Sequence, residues 1–360
     1  MDISSYRIDR EDELCKLRSN ALDTNAMQST RARLDAIAKP IDGLGQFERM
    51  LIQIAGIQRS ADICANRRAI LVMCADNGIV AEGVTQASDE VTAVVCANMA
   101  AGRSTVNRMV ATGGTDVLIT DIGIRSEVNC EGIRNRKIRR GTANFAAEPA
   151  MTREEALAAV TEGIAWVGEC VGQGYTILGT GEMGIGNTTT ATAVGCALLS
   201  LSPDEMTGRG AGLDDKGLLR KREVIKRALE GYNLYHKDAL TVLAAVGGLD
   251  IAGLAGIMIG GALYHVPIVL DGMITAAAAL VAERLVSGTK DYLIASHLSR
   301  EPIAEAIMRE LGLSPVIHAD LALGEGTGAA MLFPLIDMAL AVYRQGDSFD
   351  RMKIESYKRY

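Results

Sequence analysis

Six short apolar runs punctuate the chain: AILVMCAD (69–76), DVLITDIGI (116–124), YTILGTG (175–181), PIVLDG (267–272), YLIASH (292–297) and PVIHADLAL (315–323). Most are separated by helix-length amphipathic segments. Near-continuous apolar runs alternating with helices predict an α/β fold: a mostly parallel sheet, buried on both faces by helices. Before the first run the period changes. Thr30–Ile37 and Gln46–Gln58 carry apolar residues at helical spacing (Phe47, Leu51, Ile54, Ala55), linked by KPIDGLG. Gly328–Arg344 is again helical. The pattern predicts a small helical domain from residues 1–65 together with 329–360, and an α/β domain over 66–328.

In a parallel sheet ligands bind beyond the carboxyl ends of the strands, and nearly every predicted strand here ends in polar or glycine-rich sequence. The densest such stretch follows the third run. Gly179, Gly181, Gly184 and Gly186 precede Asn187-Thr188-Thr189-Thr190, which opens an Ala-rich helix. Strand, glycine loop and helix start form a phosphate cradle, because glycines admit close backbone approach and unpaired amides face the anion. Gly179-x-Gly181-x-x-Gly184 also fits a dinucleotide fingerprint. The acid expected at the next strand end, about 20 residues on, is missing, since Leu201-Ser202-Pro203-Asp204 reads as a loop after a helix. A Walker loop is excluded, as no Lys precedes Thr188. Glu182 stands inside the loop where an anion site does not want it, and Glu325 in Gly324-Glu325-Gly326-Thr327-Gly328 repeats the oddity. Two glycine-flanked glutamates at two strand ends can face one cleft; the structural alternative is that each caps its helix.

Composition narrows the class. Net charge is −7, which offers no field for nucleic acid or anionic lipid. The seven cysteines (Cys15, Cys64, Cys74, Cys96, Cys130, Cys170, Cys196) lack any C-x-x-C spacing, which fits a reducing cytoplasm better than a disulfide framework. The four histidines are scattered, so no local zinc motif is present. The start of the sequence is charged and lacks the apolar core of a signal peptide. Ile251–Leu270 contains no Asp, Glu, Lys or Arg, yet Gly260-Gly261, His265 and Pro267 interrupt it. It is expected to be a buried helix followed by a strand rather than a membrane span.

Taken in order, KPIDGLG, ADNGIVAEGV, GEMGIGNTTTA, GRGAGLDDKGLLRKREVI, VGGLDIAGLAG, VLDGMITAAAAL, SHLSREP and LALGEGTGAA resemble the nicotinate-nucleotide–dimethylbenzimidazole phosphoribosyltransferases of cobamide lower-ligand assembly, from about Lys39 to Asp337. The resemblance implies a Rossmann-like domain with a small helical domain, a dimer and no metal or cofactor. It implies transfer of 5-phosphoribose from nicotinate mononucleotide to an aromatic base, giving an α-riboside phosphate. Residue by residue, it implies Glu325 as general base and Glu182 as a second carboxylate near the ribose. Gly184, Gly186, Asn187 and Thr188 fall in the nucleotide loop, Lys221 near its phosphate and Ser88 in the acceptor pocket. On its own, Arg220-Lys221-Arg222 reads as a solvated helix face.

The chemistry suits this inventory. Nicotinate leaves as a neutral ring nitrogen and needs no general acid, so two carboxylates suffice: one takes the acceptor's proton and the other faces positive charge growing on the sugar. The sequence departs from the family pattern mainly on the acceptor side. Asn77 replaces a usual His, Cys96 replaces a Gln present in some relatives, Asp89 follows Ser88 where Pro is common, and Asp42-Gly43-Leu44-Gly45 replaces GSLG. Some relatives use phenol or p-cresol as two related chains, so a homodimer and a heterodimer are both open, as are benzimidazole and phenol acceptors. A nicotinamide-dinucleotide oxidoreductase and a non-catalytic partner chain are the competing classes. The first lacks a ribose clamp and the second does not account for Glu325.

Overall fold

The computed structural model describes residue 8 and residues 10–358. Six strands form one wholly parallel sheet: β1 (Arg68–Ala75), β2 (Thr115–Gly123), β3 (Ile133–Asn135), β4 (Ile177–Met183), β5 (Ile268–Leu270) and β6 (Leu293–Ala295). Their order across the sheet is β3-β2-β1-β4-β5-β6. β1 is central and buried along its whole length. Because successive side chains point to opposite faces, Ala69, Leu71, Met73 and Ala75 enter one core with the Arg153–Gly172, Leu249–Tyr264 and Met273–Leu285 helices. Ile70, Val72 and Cys74 enter the other, with the Gln46–Gln58, Glu90–Ala100 and Thr327–Gln345 helices. The α/β reading of the hydrophobic pattern is therefore correct, with helices on both faces.

Five of the six predicted strands form. The sixth run, 315–323, does not: Ile317 makes a single parallel bridge to His297 and the rest is irregular and largely exposed. Its amides at Val316 and Ile317 are spent on the carbonyl of Ser296, so it wraps the end of β6 instead of extending the sheet. The true sixth strand is β3, three residues at the sheet edge, whose sequence Ile-Arg-Asn carries no apolar run. Ile251–Leu270 is resolved as expected. The Leu249–Tyr264 helix is buried, His265 ends it in a left-handed turn, and β5 follows. Thr327–Gln345 has the length and hydropathy of a membrane span, but it packs on Gln46–Gln58 and on β4 and β5. Its Tyr343 hydroxyl donates to the carbonyl of Ala61 at 2.8 Å.

Candidate active site

The order of strands reverses between β1 and β4, which leaves a crevice at their carboxyl ends where ligands bind in sheets of this kind. A cavity of about 280 Å³ opens there. Both glutamates singled out in the sequence line it, together with Gly184, Gly186, Asn187 and Thr188. Glu182 is the penultimate residue of β4 rather than part of the loop, and it is paired in register with Met73. Glu325 stands in the loop before the Thr327–Gln345 helix. The two loops abut: a Cβ on Gly181 would lie 2.8 Å from the carbonyl oxygen of Glu325, and one on Gly324 would collide with the Glu182 carboxylate.

Glu325 is held in an unusual backbone. Gly324, Glu325 and Gly326 have φ of 87°, 61° and 89°, three consecutive left-handed residues of which only the glycines are at ease. The carboxylate is docked by the Val106 N–H at 3.2 Å, at the start of the Thr105–Val110 helix. Strain concentrated on one acidic residue inside a cleft is a mark of function.

Glu182 is embedded in other acids. The Asn187 side-chain amide donates to its Oε2 and also, at 3.1 Å, to Oδ2 of the fully buried Asp250. Burial pushes the Glu182 carboxyl up to about 8, against the Asn187 hydrogen bond and with help from Asp250, Asp271 and Glu325. Burial likewise raises Asp250 to about 6. Burial thus favours the protonated form of Glu182, and a cation beside it would favour the carboxylate. The linkage has a definite sign. A carboxyl with a raised folded-state pKa makes the native state bind the extra proton, so its contribution to stability is present below about pH 4.5 and is lost as pH rises through about 8. Glu182→Gln, which keeps the shape without the charge, is expected to melt several degrees above wild type at pH 9. That advantage should vanish toward pH 4.5. A Tm difference independent of pH would overturn the assignment.

The nucleotide loop is built differently from the expectation of free amides. The Asn187 N–H donates to the carbonyl of Gly184 at 3.1 Å and that of Thr189 to Gly186 at 2.9 Å. Gly186, with φ 92°, is required by its left-handed turn and by the crowding of Ile79 and Val80, which a Cβ would meet at 3.3 and 2.9 Å. The positive charge is supplied by Lys221, fully buried, whose Nζ donates to the Thr188 hydroxyl at 2.9 Å. It lies just behind Thr188 and Gly210, which line the cavity. Burial lowers its pKa to about 8, opposed by Glu301. Arg209 and Glu301 complete this end. Glu301 accepts the Gly210 N–H at 3.0 Å on one oxygen, while its other oxygen is buried without a partner. Neither Arg209 nor Glu301 is singled out by the sequence pattern, although a Glu immediately before a Pro at a helix start is a readable loop anchor.

The three acceptor-side residues are not brought together. Ser88 is exposed on the loop before the Glu90–Ala100 helix and does not line the cavity. Cys96 is fully buried against Cys74 inside the core, with its neighbour Val95 on the cavity wall. Asn77 is buried below the floor, where its Nδ2 approaches the Ile185 carbonyl at 3.5 Å and its Oδ1 has no partner. The apolar part of the cavity is supplied by Val84, Val95, Met273 and Leu323. Among the described residues no three His, Cys, Asp or Glu side chains are grouped to hold a metal ion.

Comparison with known proteins gives one answer. The profile of a family described as "Phosphoribosyltransferase" matches residues 19–354. The chain is 42% identical over 332 residues to the nicotinate-nucleotide–dimethylbenzimidazole phosphoribosyltransferase of Acetivibrio thermocellus, covering 92% of this chain and 95% of that one. It is 43% identical to the protein of the same name from Ruminiclostridium cellulolyticum, covering 94% and 96%. The crystal structure of CobT from Thermus thermophilus superposes with a TM-score of 0.88 at 38% identity, covering 92% of this chain and all of the other.

Proposed function

Because the chain belongs to the nicotinate-nucleotide–dimethylbenzimidazole phosphoribosyltransferase family, we propose that it moves 5-phosphoribose from nicotinate mononucleotide to 5,6-dimethylbenzimidazole or a similar cobamide lower-ligand base. The observation that carries this reading is Glu325, kept in a strained left-handed backbone between two glycines, in one cavity with Glu182. Thr188 and Arg209 also line that cavity, with the Lys221 ammonium just behind Thr188, and to this cationic corner we assign the 5′-phosphate. The apolar wall suits a flat aromatic acceptor.

The reaction then needs little apparatus. The bond between C1′ and the pyridinium nitrogen breaks, and its electron pair returns to the ring, which leaves neutral. The free nitrogen of the acceptor attacks C1′ from the opposite face, so the β-nucleotide yields an α-product. The proton on the other acceptor nitrogen passes to Glu325. Glu182, whose carboxyl pKa is raised by burial, releases its proton to water as the pyridinium binds and then faces the positive charge that spreads onto the ribose. Orientation of both substrates supplies much of the acceleration.

Several finer points belong to the same reading. All seven cysteines are unpaired, in keeping with a cytoplasmic enzyme. Met331 and Met338 are exposed on the outer face of the Thr327–Gln345 helix, apolar surface that a dimer would cover. The dinucleotide reading is weakened, because the residues after Leu199 form a short helix, Pro203–Met206, where the fingerprint expects a strand ending in an acid. A phenolic acceptor has to lose its proton from the attacking oxygen itself. Neither Cys96 nor Asn77, which depart from the family pattern, lines the cavity, so any effect of theirs on a phenolic acceptor acts through the wall they support. The test is to incubate the protein with nicotinate mononucleotide and a panel of benzimidazoles, purines and phenols. Release of nicotinate with an α-riboside of 5,6-dimethylbenzimidazole is expected. No product from any aromatic base would overturn the reading, and product from phenols alone would move the acceptor to the phenolic class.

A further inference from the structure

Asp271, at the end of β5, has no role in the chemistry above, and its surroundings assign it one. It is 1% exposed. Its Oδ2 accepts the Gly326 N–H at 2.9 Å and its Oδ1 accepts the Gly328 N–H at 2.7 Å. These are the cap and an early position of the Thr327–Gln345 helix, whose cap residue, Gly326, has no side chain to do this itself. A carboxylate from another strand therefore receives the orphan amides that a Ser, Thr or Asp at the helix start would otherwise take. The helix dipole favours a negative charge there. His297, from the end of β6, stands behind it, with Nδ1 3.9 Å from Oδ1, in space that a side chain on Gly328 would fill.

The geometry points to Asp271 as the positioning residue of Glu325. Glu325 is strained, and strain persists only where surrounding contacts over-determine it. Of those contacts, the Val106 amide holds the carboxylate from outside. Asp271 holds the backbone from inside, binding the residue immediately after Glu325 and the one two further on. Asp271 borders the same cavity, but each of its oxygens accepts a backbone amide of this loop, and through these it acts on Glu325. The assignment rests on Glu325 being the base.

A double-mutant cycle tests it. Asp271→Asn keeps the volume but turns an amide N–H2 toward one of the two backbone N–H groups. It is expected to lower kcat about 10- to 100-fold, the cost of misplacing a reacting group by about an ångström, with KM for nicotinate mononucleotide altered less than about threefold. In a Glu325→Gln background the same change should cost little more, since residues acting as one unit are not additive. Full additivity of the two losses, or a rise in KM without a fall in kcat, would overturn the proposal while leaving the base assignment standing. If Glu325→Gln alone turns over normally, the base assignment itself falls and the positioning role falls with it. Should Asp271→Asn not fold, Asp271→Ser, which is smaller and keeps one acceptor, goes through the same cycle with the same two readings.

Discussion

Glu325→Gln is expected to yield a folded protein that binds nicotinate mononucleotide almost as wild type does and turns it over about 10²–10⁴-fold more slowly, the usual worth of a positioned proton acceptor. The fold survives for a local reason. Gln occupies the same volume, its amide oxygen can still accept the Val106 N–H, and the left-handed backbone is set by Gly324, Gly326 and Asp271 rather than by the carboxylate. The nucleotide is expected to keep its affinity because the cationic corner of Thr188, Arg209 and the underlying Lys221 is left untouched. A loss confined to kcat and kcat/KM, with calorimetric affinity unchanged within about threefold, is the signature of an interaction made only in the transition state. Turnover near that of wild type would remove Glu325 from the role of base and move that role to another carboxylate of the cavity wall, Glu182 or Glu301.

The sequence foretold the frame because the sheet is wholly parallel and buried, so its strands had to be apolar on both faces; β1, β2 and β4 are strands of seven to nine residues with no charged residue in their middle positions. It failed at the two edges, where pairing is not driven by burial. β3 is polar and found its partner through the backbone, whereas 315–323 is apolar but begins at a proline and spends its amides on Ser296. The two glutamates were legible because a carboxylate among glycines at a strand end conflicts with an anion loop, and such conflicts between local rules gather at functional sites. Their support was not. Asp250, two residues after Gly248, and Asp271, just before Gly272, sit at element ends, which is also where ordinary capping acids sit. Only the fold shows Asp250 sharing the Asn187 amide with Glu182, or Asp271 seated on the amides of a helix 55 and 57 residues later. Lys221 was named only through the family resemblance, because Arg220-Lys221-Arg222 by itself has the composition of a solvated face until the helix turns its middle residue inward.

That buried lysine carries the second large effect. Lys221→Met is expected to weaken nicotinate mononucleotide binding about 10- to 100-fold, the worth of one charge-assisted hydrogen bond of about 1.5–3 kcal/mol, while the free protein becomes more stable at pH 7. Both follow from the same displacement. Burial lowers the Lys221 pKa to about 8, so its cation is a cost of folding that the phosphate relieves on binding. A base whose folded-state pKa is depressed leaves the unfolded chain holding more protons between about pH 8 and 10.5. Its unfavourable contribution therefore fades as pH rises through that window. The stabilising effect of the Met substitution should accordingly be present at pH 7 and gone by about pH 10.5. Binding moves the other way. Above pH 8 the wild-type site loses its cation, and affinity for the phosphate dianion should fall by up to about tenfold per pH unit, whereas the Met variant, with no ammonium to lose, should show a flat profile there. Calorimetric titration of both proteins at pH 7 and pH 9, with melting curves at each pH, separates the two effects. A Met variant that binds the nucleotide as tightly as wild type at pH 7 would place the phosphate elsewhere in the cavity, away from Thr188 and Gly210.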